Sequence, residues 1–249
     1  MQRVAIVTGA AKGLGRATAE RLAADGHHVV CVGRSGNTEP VATALKACGM
    51  SAEAMVAEMS DEVAIEAMVE NVAARHGRID ILVNNAGFGT SRGNRPASIA
   101  ELTLDEWNAV LAVNLTAPFL LSRAVIPHMR RGRWGRIVNV GSRAGRTGIP
   151  AAEAAYSATK AGLLGLTRYL AMVTADGGIT VNAIAAGRFA TDMADQAAPD
   201  IRSSALAGIP VGRTGDPAEF AGTVSFLTSE IAAFMTGATI DVNGGAFMA

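Results

Sequence analysis

The sequence predicts an α/β fold: one doubly wound parallel sheet of about seven strands, with helices on both faces. Three observations lead there. Short β-branched runs alternate with longer helix-like segments throughout, with no linker, repeat or low-complexity stretch between them. At 249 residues the chain suits one large domain that buries most of its apolar surface unaided. Composition agrees: 49% of residues are hydrophobic but only 4% are aromatic, and 28 are glycine, as helices packed closely on a parallel sheet require.

The elements follow in order. "RVAIVTG" (3–9) is a first strand feeding a helix from Gly13 to about Asp25. "HVVCVG" (28–33) is the second strand, followed by a helix across "PVATALKACG". "AEAMVAEM" (52–59) is a weaker third strand, and Ser60 or Asp61 can cap the helix after it. "IDILVNNAG" (79–87) is the fourth strand. A long helix is expected from Asp105 to about Met129, then "GRIVNVGS" as the fifth strand. A helix from Ala155 to Ala175 leads into "GITVNAIAAG", the sixth strand. "DPAEFAGTVSFLTS" and "GATIDVNGG" supply the last helix and strand. The first three and last three β-α units form two halves of one sheet. Ligands of such sheets lie at the carboxyl ends of the strands, where strand order reverses. Chemistry is therefore expected in the loops after residues 8, 33, 58, 84, 141 and 186.

Several function classes are disfavoured. Lys plus Arg and Asp plus Glu both number 22, so no net charge points to nucleic acid or an anionic membrane. The strongest basic run, "RRGRWGR" (130–136), is expected to be a solvated loop. Cys31 and Cys48 are expected to be core thiols, with neither a disulfide nor a metal site between them. The four histidines show no ligand spacing. "MQRVAIVTG" enters a strand with no signal-peptide pattern, and no apolar run approaches the ~18 residues of a membrane span. The expectation is a cytoplasmic protein with no membrane partner.

"TGAAKGLGRA" follows the first strand and opens a helix, with Gly9, Gly13 and Gly15 in a G-x-x-x-G-x-G spacing. In a Rossmann-type turn one glycine makes the tight bend, one lets backbone approach a pyrophosphate, and one lets helix and strand pack closely. The helix N-terminus then offers unpaired N–H groups to phosphate. An NAD site normally has an acid at the end of the second strand, holding the ribose hydroxyls. Here "VVCVGRSG" puts Gly33 there and Arg34 next, and Lys12 adds a second cation. A 2′-phosphate would meet two positive partners and no repulsion, which predicts NADP(H) over NAD(H).

In "AAYSATKAG", Tyr156 and Lys160 stand four apart, so a helix puts them on one face. Tyrosine ionises near pH ~10, and bringing that to about 7 takes roughly 4 kcal/mol. An ammonium at ~4 Å, at an effective dielectric near 20, supplies about that much. The pair is sufficient for acid–base chemistry at a hydroxyl or carbonyl. Ser142 ends the fifth strand on the same cleft, where its hydroxyl can hold the reacting oxygen. "NNAG" (84–87) ends the fourth strand with small residues over which a cofactor can pass. Asn114 sits in an otherwise apolar helix. It is either a locally satisfied core amide or the centre of a helix distortion that holds water linking Lys160 to solvent.

Together "TGAAKGLG", "NNAG", Asn114, Ser142, "YSATK" and "VNAIAAG" resemble the short-chain dehydrogenase/reductase family, and the resemblance spans essentially the whole chain. It implies Tyr156 as general acid/base, Lys160 lowering its pKa and holding the nicotinamide ribose, Ser142 orienting the carbonyl oxygen, and Asn114 completing a proton relay. It implies cofactor contacts from Gly9, Lys12, Gly13, Leu14, Gly15, Arg34, Glu58, Met59, Asn85, Ala86, Gly87, Tyr156, Lys160, Gly187 and Thr191. It also implies a homotetramer joined through the two long helices. Within the family, "VGRTGDPAEFAGTVSFLTS" and "TGATIDVNGGAFM" look like 3-oxoacyl-carrier-protein reductases and related carbonyl reductases. The expected reaction is NADPH-dependent reduction of a ketone or 3-oxoacyl substrate. The alternatives are an NAD-linked alcohol or sugar dehydrogenase, or a non-catalytic nucleotide-sensing module.

The chain departs from the family pattern in places. Ala186-Gly187 replaces the usual Pro-Gly, Ser142 and Tyr156 are one residue further apart than usual, and Glu58 stands where an aspartate commonly contacts adenine. Arg133 matches a basic carrier-contact position, but "TADGG" lacks the second one. Substrate is expected between the loop after Ser142 and a lid-like segment, 188–213. Phe88, Ile149, Phe189, Met193 and Leu206 are either pocket or core, and Arg143, Arg146 and Arg188 either attract an anionic group or are solvated.

Overall fold

The computed structural model describes residues 2–149, 152–191 and 198–248. Its main sheet has seven strands: β1 (Val4–Thr8), β2 (His28–Gly33), β3 (Ala52–Val56), β4 (Ile81–Asn84), β7 (Gly135–Ser142), β8 (Ile179–Ala186) and β9 (Thr239–Val242). All pair parallel, in the order β3-β2-β1-β4-β7-β8-β9. Order reverses between β1 and β4, the place where an open α/β sheet leaves a crevice. Strands β5 (Ser91–Arg92) and β6 (Arg95–Pro96) form a small hairpin in the loop after β4.

Runs such as "VAIVT" and "ILVN" are buried along their whole length, because helices cover both faces. On one face lie α3 (Glu62–His76), α5 (Ala117–Gly132) and α6 (Ala154–Thr174), where Ile65, Val69, Val72, Leu121, Val125 and Leu170 meet the sheet. On the other lie α1 (Gly13–Ala24), α2 (Glu39–Ala47) and, after α7 (Pro199–Ala207), α8 (Pro217–Thr228). Leu22, Leu45, Phe220 and Val224 fill that second layer. Helix starts follow their caps: Asp61 accepts from the Val63 and Ala64 amides, and Asp216 with Glu219 forms a capping box.

The structure corrects several expectations. The third strand leaves the ladder at Val56, three residues early, and Ala57 and Met59 turn into the core. The long helix is α4 (Leu104–Leu111), a π-helical turn over Ala112–Thr116, and α5, so an extra residue is inserted around Asn114. The stretch Leu104–Gly132 is long and apolar enough to cross a bilayer by length and composition alone. Its inner face is spent on the core, through Val110, Leu120, Leu121, Val125 and Met129. Cys31 is buried, which pushes its thiol up to about 12, but Cys48 is exposed at the end of α2. Arg136, from the basic run, is a β7 residue that is only 3% exposed. It stacks 4.2 Å from the Trp134 ring and donates to the Gly135 carbonyl at 2.8 Å.

One glycine is fixed by contact. A Cβ on Gly15 would stand 2.2 Å from the Gly9 carbonyl oxygen and 2.4 Å from the Asn85 amide. Gly15→Ala therefore forces α1 off β1. The expected cost is roughly 1–3 kcal/mol, seen as a lower midpoint in urea denaturation; an unchanged midpoint would contradict this packing.

Candidate active site

The glycine loop bends at Gly9 (φ +66°) and Gly13 (φ +55°), backbone settings that favour glycine. Lys12 precedes α1 in extended conformation, so the first N–H groups of the helix, at Gly13, Leu14 and Gly15, open toward the strand ends. A Cβ on Gly13 would lie 3.3 Å from the Thr191 methyl, which places Thr191 against the loop. The Ala10 amide donates to the Val32 carbonyl at 3.2 Å, tying the loop to the end of β2. Gly33 and Arg34 follow there, and Arg34 and Lys12 are both exposed. Glu58 accepts from the Ser60 amide at 3.2 Å and so shapes the turn after β3. Beside it the Met59 side chain is core, leaving only backbone to face the crevice.

Thr8, which sequence reasoning passed over, joins the glycine loop to β4. Its hydroxyl accepts from the Asn85 and Ala86 amides, both at 3.0 Å, and donates to the Val83 carbonyl at 3.3 Å. Asn85 Nδ2 returns a bond to the Thr8 carbonyl at 2.8 Å. The signal was a polar residue closing an apolar strand just before the first glycine.

Gly87 lies where a Cβ would come within 3.1 Å of Asn114 Oδ1 and 3.4 Å of Lys160 Nζ. Asn114 is fully buried. Its Oδ1 accepts from the Phe88 amide at 3.0 Å, and its Nδ2 donates to the Phe88 carbonyl at 2.8 Å and to Thr159 Oγ1 at 3.3 Å. Both sequence readings of Asn114 thus meet in one place. The helix is distorted there, and the amide is satisfied by the loop after β4.

Ser142 ends β7 and is 8% exposed; its Oγ accepts from the Ala144 amide at 3.1 Å. Ser142 sits beside Tyr156, where its hydroxyl favours the ionised form of the phenol. Lys160 is buried, with Nζ donating to the Val140 carbonyl at 2.7 Å and lying 5.5 Å from the centre of the Tyr156 ring. Asn114, Ser142, Tyr156 and Lys160 therefore line one cleft, above the carboxyl ends of β4 and β7. The electrostatics differ from the expectation. Burial pushes Tyr156 above its ordinary value, Ser142 pulls it back in part, and the Glu153 charge pushes it up again. Burial brings Lys160 down to about 8, because its ammonium gives up water for one carbonyl. Protein groups alone do not bring the tyrosine toward neutrality. The Lys160 ammonium is hydrogen-bonded to the Val140 carbonyl and stands 5.5 Å from the centre of the tyrosine ring.

Glu153 was also missed. It is 3% exposed and caps α6, accepting from Ala155 N at 2.7 Å and Tyr156 N at 2.8 Å, which fixes where the helix starts and hence where Tyr156 points. Its signal was an acid just ahead of the helix.

The model of the family described as Enoyl-(Acyl carrier protein) reductase matches residues 9–246. The chain belongs to the short-chain dehydrogenase/reductase family. It is 40% identical to the 3-oxoacyl-[acyl-carrier-protein] reductase FabG of Salmonella typhimurium over 247 residues, covering 99% of this chain and 98% of that protein. It is similar to a solved candidate NAD(P)-dependent gluconate 5-dehydrogenase from Beutenbergia cavernae with NADP bound at low occupancy. That match has TM-score 0.91 and 39% identity, and covers 98% of this chain and 96% of the other. A 3-oxoacyl-[acyl-carrier protein] reductase from Brucella melitensis with bound NAD matches at TM-score 0.93 and 34% identity, covering 99% of this chain and 92% of the other.

The outer site differs from expectation. Phe189 is core, edge-on to Phe220 at 5.6 Å, because its backbone bridges to Gly215. Phe88 and Leu206 are exposed, Ile149 is half-buried, and Met193 lies outside the described residues, as does 192–197 of the lid-like segment. Arg143 donates to the Ala246 carbonyl at 3.0 Å, and Arg146 pairs with Asp241 at 3.4 Å, so both hold the C-terminal segment. Gly187 also serves packing: a Cβ there would stand 2.5 Å from the Asn243 backbone. Arg133 lies just before β7, at the end of the sheet away from the cleft.

Lys160 supplies a pH test. Its folded pKa, about 8, is below that of an exposed lysine. Between those values the unfolded chain binds more protons, so stability rises with pH. Compared with Lys160→Met, the wild type should gain stability from about pH 8 to about pH 10. A stability difference in urea that stays flat over that range would contradict the buried ammonium.

Proposed function

We propose that the chain is an NADPH-dependent reductase that converts a 3-oxoacyl substrate, or a ketone resembling it, to a secondary alcohol. The observation that carries this reading is the convergence of Ser142, Tyr156 and Lys160 on one cleft beside a glycine loop. The loop fits a dinucleotide turn, since Gly9 and Gly13 bend it at positive φ and Gly15 lets α1 pack directly on the Gly9 carbonyl. Bound nicotinamide would supply the hydride. Tyr156, kept protonated by burial, suits the acid role, giving its proton to the substrate oxygen as charge develops there. Ser142 has its Oγ fixed by the Ala144 amide, in a position where its O–H can orient the same oxygen. Lys160, anchored on Val140, faces the ribose side at Gly87 and can return a proton to the tyrosine; Asn114 holds the adjoining loop in place.

The preference for NADPH rests on the end of β2. Gly33 stands where the usual ribose-binding acid would be, and a Cβ there would crowd the Asn37 side chain at 2.5 Å and the Thr38 methyl at 2.9 Å. Arg34 is exposed beside it, where its guanidinium can fork onto a 2′-phosphate, and Lys12 is exposed on the glycine loop. The similarity to a candidate gluconate dehydrogenase favours a second reading, oxidation of a sugar acid on the same scaffold. We place the protein in the cytoplasm as a homotetramer. Tyr169 and Met172, exposed on α6, and Phe119, exposed on α5, suit contact along those helices. A monomer in light scattering would contradict that assembly.

The deciding assay follows NADPH and NADH oxidation across 3-oxoacyl thioesters, simple ketones and keto sugar acids. NADPH should be preferred by about tenfold or more in kcat/KM, with Arg34→Ala removing most of that margin. Equal use of NADH, or turnover only with keto sugar acids, would reject the first reading. Tyr156→Phe should lower kcat by at least about 100-fold while cofactor binding persists. Near-normal turnover in that variant would remove Tyr156 from the acid role.

A further inference from the structure

At the amino end of the sheet, opposite the glycine loop, three side chains gather that no close spacing in the sequence connects. His28 opens β2, Glu53 lies one residue into β3, and His76 ends α3. Val30 pairs with Glu53 in the ladder, and alternation puts His28 on the face of Val30. On that face the buried stripe of α3, Ile65, Val69 and Val72, continues four residues on to His76. Fold topology therefore aims all three at one point.

The three donor atoms lie within 4.8 Å of one another. Glu53 Oε1 is 2.8 Å from His76 Nε2 and 3.6 Å from His28 Nε2. Donors on a tetrahedral zinc ion with bonds of ~2.0–2.1 Å stand roughly 3.3 Å apart, so small side-chain adjustments suffice. Two ligands are held from behind, as metal ligands are. His28 Nδ1 is 2.7 Å from Ser51 Oγ, and Arg75 holds the other Glu53 oxygen at 3.0 Å. His28 Nε2 is buried without a hydrogen-bond partner and faces the carboxylate. With Arg75 against Glu53 and Lys46 nearby, the site is not strongly negative, which disfavours Ca²⁺ and Mg²⁺. Two imidazoles and one carboxylate suit a late first-row cation.

We propose that His28, Glu53 and His76 form a zinc site, with the fourth position left to water, that clips the C-terminal end of α3 to β2 and the edge strand β3. The alternative is a plain polar cluster closed by the Arg75 ion pair. The test uses full-length protein stripped with a chelator, then Zn²⁺ titrated against a chromophoric competitor. One equivalent per chain should bind, and a hundredfold excess over Kd should raise the melting temperature by roughly 5–10 °C. Glu53→Gln and His76→Asn should each weaken binding at least about tenfold and abolish the shift. Co²⁺ on the wild-type protein gives a readout that needs no variant: the strong visible absorption of a four-coordinate ion. Absence of stoichiometric zinc, equal binding by both variants, or the weak spectrum of six-coordinate cobalt would overturn the proposal.

Discussion

The site depends on one seam, where the backbone of the glycine loop meets the loop after β4. Three hydrogen bonds join Thr8 to Asn85 and Ala86 there, and Gly15 presses against Gly9 from the helix side. The seam lies between β1 and β4, where strand order reverses and neighbouring loops leave in opposite directions. Without a cross-link the crevice would have two independent walls. With it, the helix N-terminus and the "NNAG" backbone become one rigid surface on which a dinucleotide can lie.

Burial sets the chemistry above that surface. The same desolvation acts oppositely on two groups four residues apart, since neutral tyrosine and neutral lysine are both the favoured forms in a dry cleft. An acid that holds its proton beside an amine that titrates near neutral pH is a donor and its resupply. Glu153 matters for the same reason, because its carboxylate both sets the start of α6 and opposes ionisation of the tyrosine.

Much of this was legible in the sequence because it follows local rules. Strand–helix alternation, the glycine loop, the Asp61 cap and the i, i+4 pair are each written within a dozen residues. What escaped depends on residues far apart meeting in space. Arg136 looked solvated until Trp134 and β7 covered it, and Phe189, open between pocket and core, was decided by the bridge to Gly215 that turned it inward. Arg143 and Arg146 found partners about a hundred residues away. Cys48 shares the spacing of Val41 and Leu45 but missed the core because it lies past the last turn of α2, at its C-cap. Spacing puts the lysine near the tyrosine but cannot say that the Val140 carbonyl anchors its ammonium. His28, Glu53 and His76 meet through ladder register, which spacing along the chain does not encode.

The wide turn at Asn114 uncouples two kinds of tolerance. A helix carrying one surplus residue can lose one nearby and simply become regular, keeping its hydrogen-bond ladder and most of its buried face. The loss would close the widened turn that carries the Asn114 amide, while the flanking turns keep their packing. Asn114 would then no longer meet Phe88, and the loop beside Lys160 would lose its tether. A deletion here would leave a folded protein with a slack site, so length conservation in this helix would report on selection for activity rather than for folding.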